Sequence, residues 1–214
     1  VLGSHGLFTW GDTSLECYEN SLEVIEKASD YIEEKVSQNK VVFSGEKVKP
    51  LSDNQRHQKA SELMPILRGL CSSVNQMVGH FTDDDNVLSF INSYDLDRLA
   101  PMGTSCPDHF LRTKIQPLII RLKLATGTIN VDLLKRELTP SFENYRRVYK
   151  EYYEACKHPN SPPMRDPNPV ILLYPGLGMF SFAKNKQTAR VAAEFYSNAI
   201  NVMRGAEALS LIHI

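Results

Sequence analysis

Between positions 14 and 37, Leu15, Tyr18, Leu22, Ile25, Ile32 and Val36 recur at mostly three- and four-residue steps, the period of one helical face. The spacing predicts a helix over 14–37 that buries those side chains as one stripe. Glu23, Glu26, Glu33 and Glu34 fall mostly off the stripe and read as a solvated face rather than as acid/base candidates. Thr13-Ser14-Leu15-Glu16 fits a capping box, in which hydroxyl and carboxylate satisfy opposite orphan amides. A second apolar period, Leu63, Ile66, Leu67, Leu70, Val74 and Val78, predicts a helical region over 55–78. Pro65 lies inside it and is expected to start a new helix or kink this one, because proline lacks an amide and clashes with the preceding turn. The stretch 38–54 reads as a boundary, with Val41-Val42-Phe43 a short strand and Gly45, Pro50 and Asp53 marking turns.

Further along, Val87-Leu88-Ser89-Phe90-Ile91 reads as a buried strand, followed by a short helix carrying Leu96 and Leu99. A second strand is centred on Leu118-Ile119-Ile120, and Gly127-Thr128 marks a turn. Asn130 or Asp132 then starts a helix of about thirty residues, which Pro140 is expected to split. Its later half alternates Tyr145, Val148, Tyr149, Tyr152 and Tyr153 with Arg146, Arg147 and Lys150. At helical spacing this is a packed stripe with a solvated face rather than a nucleic-acid platform. The stretch 158–169 is a proline-rich loop, Val170 opens the apolar strand 170–174, and a glycine turn leads to a last helix over 186–208. Ala189, Ala192, Phe195, Ala199, Val202 and Ala206 are its expected inner stripe. Strands alternating with helices argue for an α/β layered fold with a mainly parallel sheet.

Composition narrows the reading. A chain of 214 residues supports one or two domains with a sizeable core. A formal net charge of -1 carries no polyanion-binding footprint, so no nucleic-acid partner is expected. No apolar run approaches the roughly 20 residues of a membrane span. Cys17, Cys71, Cys106 and Cys156 are widely separated and form no CxxC pair, so free thiols and a cytoplasmic setting are the expectation.

Pro107-Asp108-His109-Phe110-Leu111-Arg112-Thr113-Lys114 is the densest polar cluster. Asp108, His109, Arg112 and Lys114 combine an acid, an imidazole, a guanidinium and an ammonium, a set able to hold a phosphate or carboxylate and to move a proton. The competing reading has Asp108 capping a short helix and Arg112 in a structural ion pair. Pro175-Gly176-Leu177-Gly178-Met179-Phe180 follows a strand as a phosphate loop would, but Ser181 stands at the third glycine position, so a tight turn is favoured. Lys184 and Lys186 nearby still suit an anion. Asp83-Asp84-Asp85 reads as a polar turn, lacking the glycine and glutamate of a calcium loop. His57 and His80 read as surface or capping residues. His5, between Ser4 and Gly6 at the end of the opening apolar stretch, is placed as a neutral imidazole ligand would be, although no second ligand lies at short spacing.

SHGLFTWGDT followed by ECYENSLEVIEKASDYIEE resembles the last strand and helix of a class II aldolase/adducin-type domain. GTSCPDHFLRTKIQPLII and PGLGMFSFAKNKQTARVAAEFYSNAINVMRGAEAL point to the same family, and more closely to bifunctional rhamnulose-1-phosphate aldolase/short-chain dehydrogenase proteins. The resemblance implies that His5 is a ligand of a divalent metal, most naturally zinc, whose other ligands (a His-x-His pair and an acidic residue) would lie upstream. It also implies a sugar-phosphate substrate, cleavage of rhamnulose 1-phosphate to dihydroxyacetone phosphate and lactaldehyde, NAD-linked oxidation of the aldehyde in a following dehydrogenase domain, and a homo-oligomeric parent. On this reading 1–45 ends the aldolase-like domain, 54–208 is an α/β connecting domain, 209–214 is an adapter-derived tail, and the chain alone is inactive. The alternative is a non-catalytic binding or scaffolding module of the same fold.

Overall fold

The computed structural model describes residues 1–3, 6–38, 42–122 and 129–209. Among the described residues, seven α-helices and four strands alternate irregularly: α1 (Ser14–Gln38), α2 (Asp53–Leu70), β1 (Val78–Thr82), α3 (Asp85–Ile91), α4 (Leu96–Leu99), α5 (Pro107–Thr113), β2 (Leu118–Ile119), α6 (Val131–Cys156), β3 (Ile171–Tyr174), β4 (Gly178–Ala183) and α7 (Lys186–Ala208). The α/β class is as the pattern predicts. The sheet, however, is mixed rather than mainly parallel. Its order is β1-β4-β3-β2, with β1/β4 and β3/β4 antiparallel and only β2/β3 parallel.

Two hydrophobic layers flank the sheet, and β3 supplies both through the two-residue alternation of a strand. Ile171 and Leu173 face α3, α4 and α7 together with Met179 of β4. Leu172 and Tyr174 face α2 and α6 together with Phe180 and Phe182. Because both faces of β3 are covered, all four of its residues are buried, which is why it reads as a continuous apolar run.

Several expectations give way to tertiary context. The segment 87–91 is helix α3, capped by Asp84, whose carboxylate accepts from the Val87 amide at 2.9 Å. A short apolar run buried on all sides has no period that separates strand from helix. The helix over 55–78 ends at Leu70, and Val78 opens β1 instead, leaving Val74 and Val78 outside the core. Neither Pro65 nor Pro140 breaks its helix. Phe43 lies in a 3-10 turn (Val42–Ser44) with φ 51°, buried edge-on against Phe90, where a strand was expected; Val41 lies outside the described residues, as does the Gly127-Thr128 turn. In α7 the buried stripe is rotated: Ala189, Ala192 and Ala199 are joined by Ala193, Tyr196, Ile200 and Met203, while Val202 is exposed.

The capping at α1 holds, with the Glu16 amide donating to Thr13 Oγ1 at 3.1 Å and the Glu16 carboxylate accepting from Asp12 N at 2.8 Å. Its stripe does not become core. Leu15, Tyr18, Leu22, Ile25 and Ile32 are exposed, at 64%, 61%, 46%, 62% and 38%. The period identifies a face that needs covering; α1 packs against α7, and nothing among the described residues covers that stripe.

Candidate functional site

The α5 cluster is built by Pro107, whose fixed φ suits the first helical turn and whose missing amide costs nothing there. The helix disperses the four polar candidates. Asp108 and Arg112 are exposed, and neither caps the helix nor forms an ion pair among the described residues. His109 turns toward α7, its ring edge-on to Phe195 at 4.8 Å, with Nδ1 buried and without a hydrogen-bond partner among the described residues. Lys114 closes α5 in the left-handed region, at φ 66°, a conformation a lysine adopts only when its surroundings impose it. The structure therefore separates the four rather than assembling them.

Lys114 leads into a cavity of about 400 Å³ between α5, α6 and the loop before β3. Its ammonium donates to the main-chain carbonyl of Asp166 and lies 3.7 Å from the centroid of the Tyr149 ring. Burial, reinforced by the nearby Arg165 charge, pushes its pKa from 10.5 down to about 8 despite the opposing pull of Asp166. Burial likewise pushes the Tyr149 hydroxyl up. Arg165 and Lys184 stand at the rim, and Tyr152 completes the aromatic wall. Lys184 was legible as an anion-suited residue. Arg165 and Asp166 were not, since they sit in a loop distinguished only by proline. Lys186, paired with it in the sequence reading, points elsewhere, reaching His80 Nδ1 at 3.0 Å.

A second cavity, about 360 Å³, lies at the carboxyl ends of β2 and β3, where open α/β sheets commonly bind ligands. Asp97 there pairs with Arg121 at 2.7 Å and Lys47 at 3.4 Å, which holds its carboxyl below the usual range, and Lys49 also lines the cavity. The Pro175–Gly178 stretch beside it is a hairpin turn between β3 and β4, with Gly176 at φ 83°. Without a following helix it offers no helix N-terminus to a pyrophosphate.

Asp53, His57 and Asp83 offer ligand atoms within 4.8 Å of one another, a possible metal triad. Arg56 already occupies its centre, donating from Nη2 to Asp53 at 3.0 Å and from Nε to Asp83 at 2.8 Å. A divalent ion there would be driven against a guanidinium, and Asp53 and His57 are open to water. These residues do not fit a catalytic metal; they tie α2 to the turn after β1. His5, the sequence-predicted ligand, lies outside the described residues.

Comparison with known proteins agrees with the layered α/β architecture. The family described as "Aldolase class II, second domain" matches residues 58–211. The "Uncharacterized oxidoreductase YuxG" of Bacillus subtilis (strain 168) is 33% identical over 211 residues, covering 98% of this chain and 30% of the relative. The chain thus spans about a third of the length of the curated relative it matches. No solved structure matches.

Proposed function

This chain belongs to the family of class II aldolase second domains, and from that premise we propose that it serves a longer bifunctional enzyme, a metal-dependent aldolase joined to a short-chain dehydrogenase. The observation that carries the reading is the double assignment of one stretch of chain: it matches an aldolase second domain and also, along nearly its whole length, a much longer protein named an oxidoreductase. In this reading the substrate is rhamnulose 1-phosphate, the cleavage products are dihydroxyacetone phosphate and lactaldehyde, and the aldehyde is oxidised with NAD. Class II aldolases depend on a metal, whose contribution is charge stabilisation of the enediolate left by carbon–carbon cleavage. His5 is proposed as one ligand; the remaining ligands, the dehydrogenase domain and a homo-oligomeric assembly belong to the proposed parent.

The reading that cleavage belongs to the parent is supported by the Asp53, His57 and Asp83 group, whose two carboxylates are both bonded to Arg56. The 214-residue chain is therefore expected to be inactive alone. The test is to express the parent from its source gene and assay dihydroxyacetone phosphate release from rhamnulose 1-phosphate, and NADH formation with lactaldehyde, beside the isolated chain. Both activities in the parent and neither in the isolated chain support the reading. Retro-aldol activity in the isolated chain, or neither activity in the metal-supplemented parent, overturns it; the latter leaves a scaffolding role.

A further inference from the structure

We propose that the Lys114 cavity binds a small molecule carrying a phosphate or carboxylate on an apolar body, with Lys114, Arg165 and Lys184 around the anion. This site does not depend on the aldolase reading and does not include His5.

The argument begins with charge. Lys114, Arg165 and Lys184 line one cavity, and none of them forms a salt bridge to a carboxylate among the described residues. The single acid of the lining, Asp166, acts on Lys114 through its charge but forms no salt bridge with the three cations, and its carboxylate oxygens are engaged elsewhere. Its Oδ1 accepts from the Asn168 amide at 2.9 Å and from Asn168 Nδ2 at 2.8 Å, and its Oδ2 accepts from Asn75 at 3.4 Å. It is the Asp166 main-chain carbonyl, not the carboxylate, that takes the Lys114 proton donor. Unpaired cations gathered around a partly buried space repel one another, and a bound oxyanion removes that cost.

The donors suit such a ligand. An ammonium carries three N–H groups, and Lys114 spends one on Asp166. Arg165 spends Nη1 on the Leu111 carbonyl at 3.2 Å, leaving its other N–H groups for a ligand. Lys114 is held in place from both ends, by its left-handed backbone and by the Tyr149 ring, so little side-chain entropy is lost on binding. The rest of the wall is apolar and aromatic: Phe110, Ile115 and Val170 with the tilted pair Tyr149 and Tyr152, whose centroids are 6.4 Å apart. That wall favours an apolar or aromatic body over a polyhydroxylated one. Binding also has a pH signature. An anion restores the Lys114 proton, so affinity falls as pH rises through about 8. The other groups facing Lys114 are Arg165, Asp166, Tyr149 and Tyr152 of α6, and Cys71 at the end of α2; burial pushes the Tyr149 hydroxyl and the Cys71 thiol up.

The experiment is calorimetric titration of the 214-residue chain with phenyl phosphate, benzoate and inorganic phosphate, at pH values either side of 8. The expected result is saturable one-to-one binding of phenyl phosphate or benzoate, weakened about tenfold in Arg165→Gln and less in Lys184→Gln. Preference between those two probes tells phosphate ester from carboxylate. Lys114→Met should abolish binding; because Lys114 also anchors Asp166, the exposed Arg165 and Lys184 variants, checked by circular dichroism, carry the decision if that variant unfolds. No saturable binding of any probe up to about 10 mM overturns the site, as does affinity unchanged in both rim variants. Inorganic phosphate binding as tightly as phenyl phosphate overturns the apolar-body assignment.

Discussion

Lys114 hands its proton donor to the main-chain carbonyl of Asp166, 52 residues further along the chain, and so staples the end of α5 to the loop that leads into β3. The contact holds a charged amine where water is scarce. Below pH 8 the amine is charged in both folded and unfolded chains, and the whole desolvation cost is present. Between about 8 and 10.5 the unfolded chain binds more protons than the folded one, so this group makes stability rise with pH. The gap corresponds to about 3 kcal/mol at most. Urea unfolding of wild type and Lys114→Met across pH 7 to 10.5 should show the wild type gaining on the variant by up to that amount. The opposing effect of Cys71, whose thiol burial pushes up, cancels in the difference. A difference that stays flat with pH would show that the amine is solvated.

Asn168 is buried and joins three segments. It accepts from Arg146 Nε at 2.7 Å and donates to Ser73 Oγ at 2.8 Å, while Arg146 also donates to the Leu70 carbonyl at 2.7 Å. Asn168→Ala leaves a guanidinium nitrogen without its acceptor, and should lower the unfolding free energy by about 2–3 kcal/mol in urea titration.

Two glycines make opposite predictions. A Cβ at Gly103 would meet the Ile115 carbonyl oxygen at 2.2 Å, at φ 78°, so Gly103→Ala should cost about 2–4 kcal/mol by thermal or urea unfolding. Gly205 sits inside α7 with nothing within 4 Å of an added Cβ, and Gly205→Ala should stabilise by about 0.5–1 kcal/mol.

The Tyr196 hydroxyl is buried under the sheet without a partner among the described residues, and burial pushes its pKa far up. Tyr196→Phe removes that unpaired group at almost constant volume. The variant should unfold at the same urea concentration as wild type or at one higher by up to about 1 kcal/mol of stability. A loss of more than that would mean the hydroxyl has a partner.

The long helices were legible because their ends carry chemistry. Thr13 with Glu16 marks the start of α1, and Asn130 accepts from the Leu133 amide at 3.0 Å just where the pattern placed the start of α6. The short elements were not. β4 begins at Gly178, and its strand character comes from pairing with β1 and β3, which no local period announces. The stretch 87–91 is apolar enough to be a strand and is a helix because Asp84 caps it. The candidate site was half-visible for the same reason. Lys114 stood in a polar cluster and Lys184 beside a glycine turn, but only the fold brings them to Arg165, and it turns Asp108, His109 and Arg112 away.

The uncovered stripe of α1 has a colloidal consequence. Leu15, Tyr18, Leu22 and Ile25 make a contiguous oily flank on a particle whose formal charge, -1, gives it little long-range repulsion. Concentrating such a particle brings flank to flank. The 214-residue chain on its own is therefore expected to pair and then precipitate as concentration rises, which light scattering against concentration checks. A few polar substitutions along α1, rather than any change in the sheet or its two cores, are what would keep it dispersed.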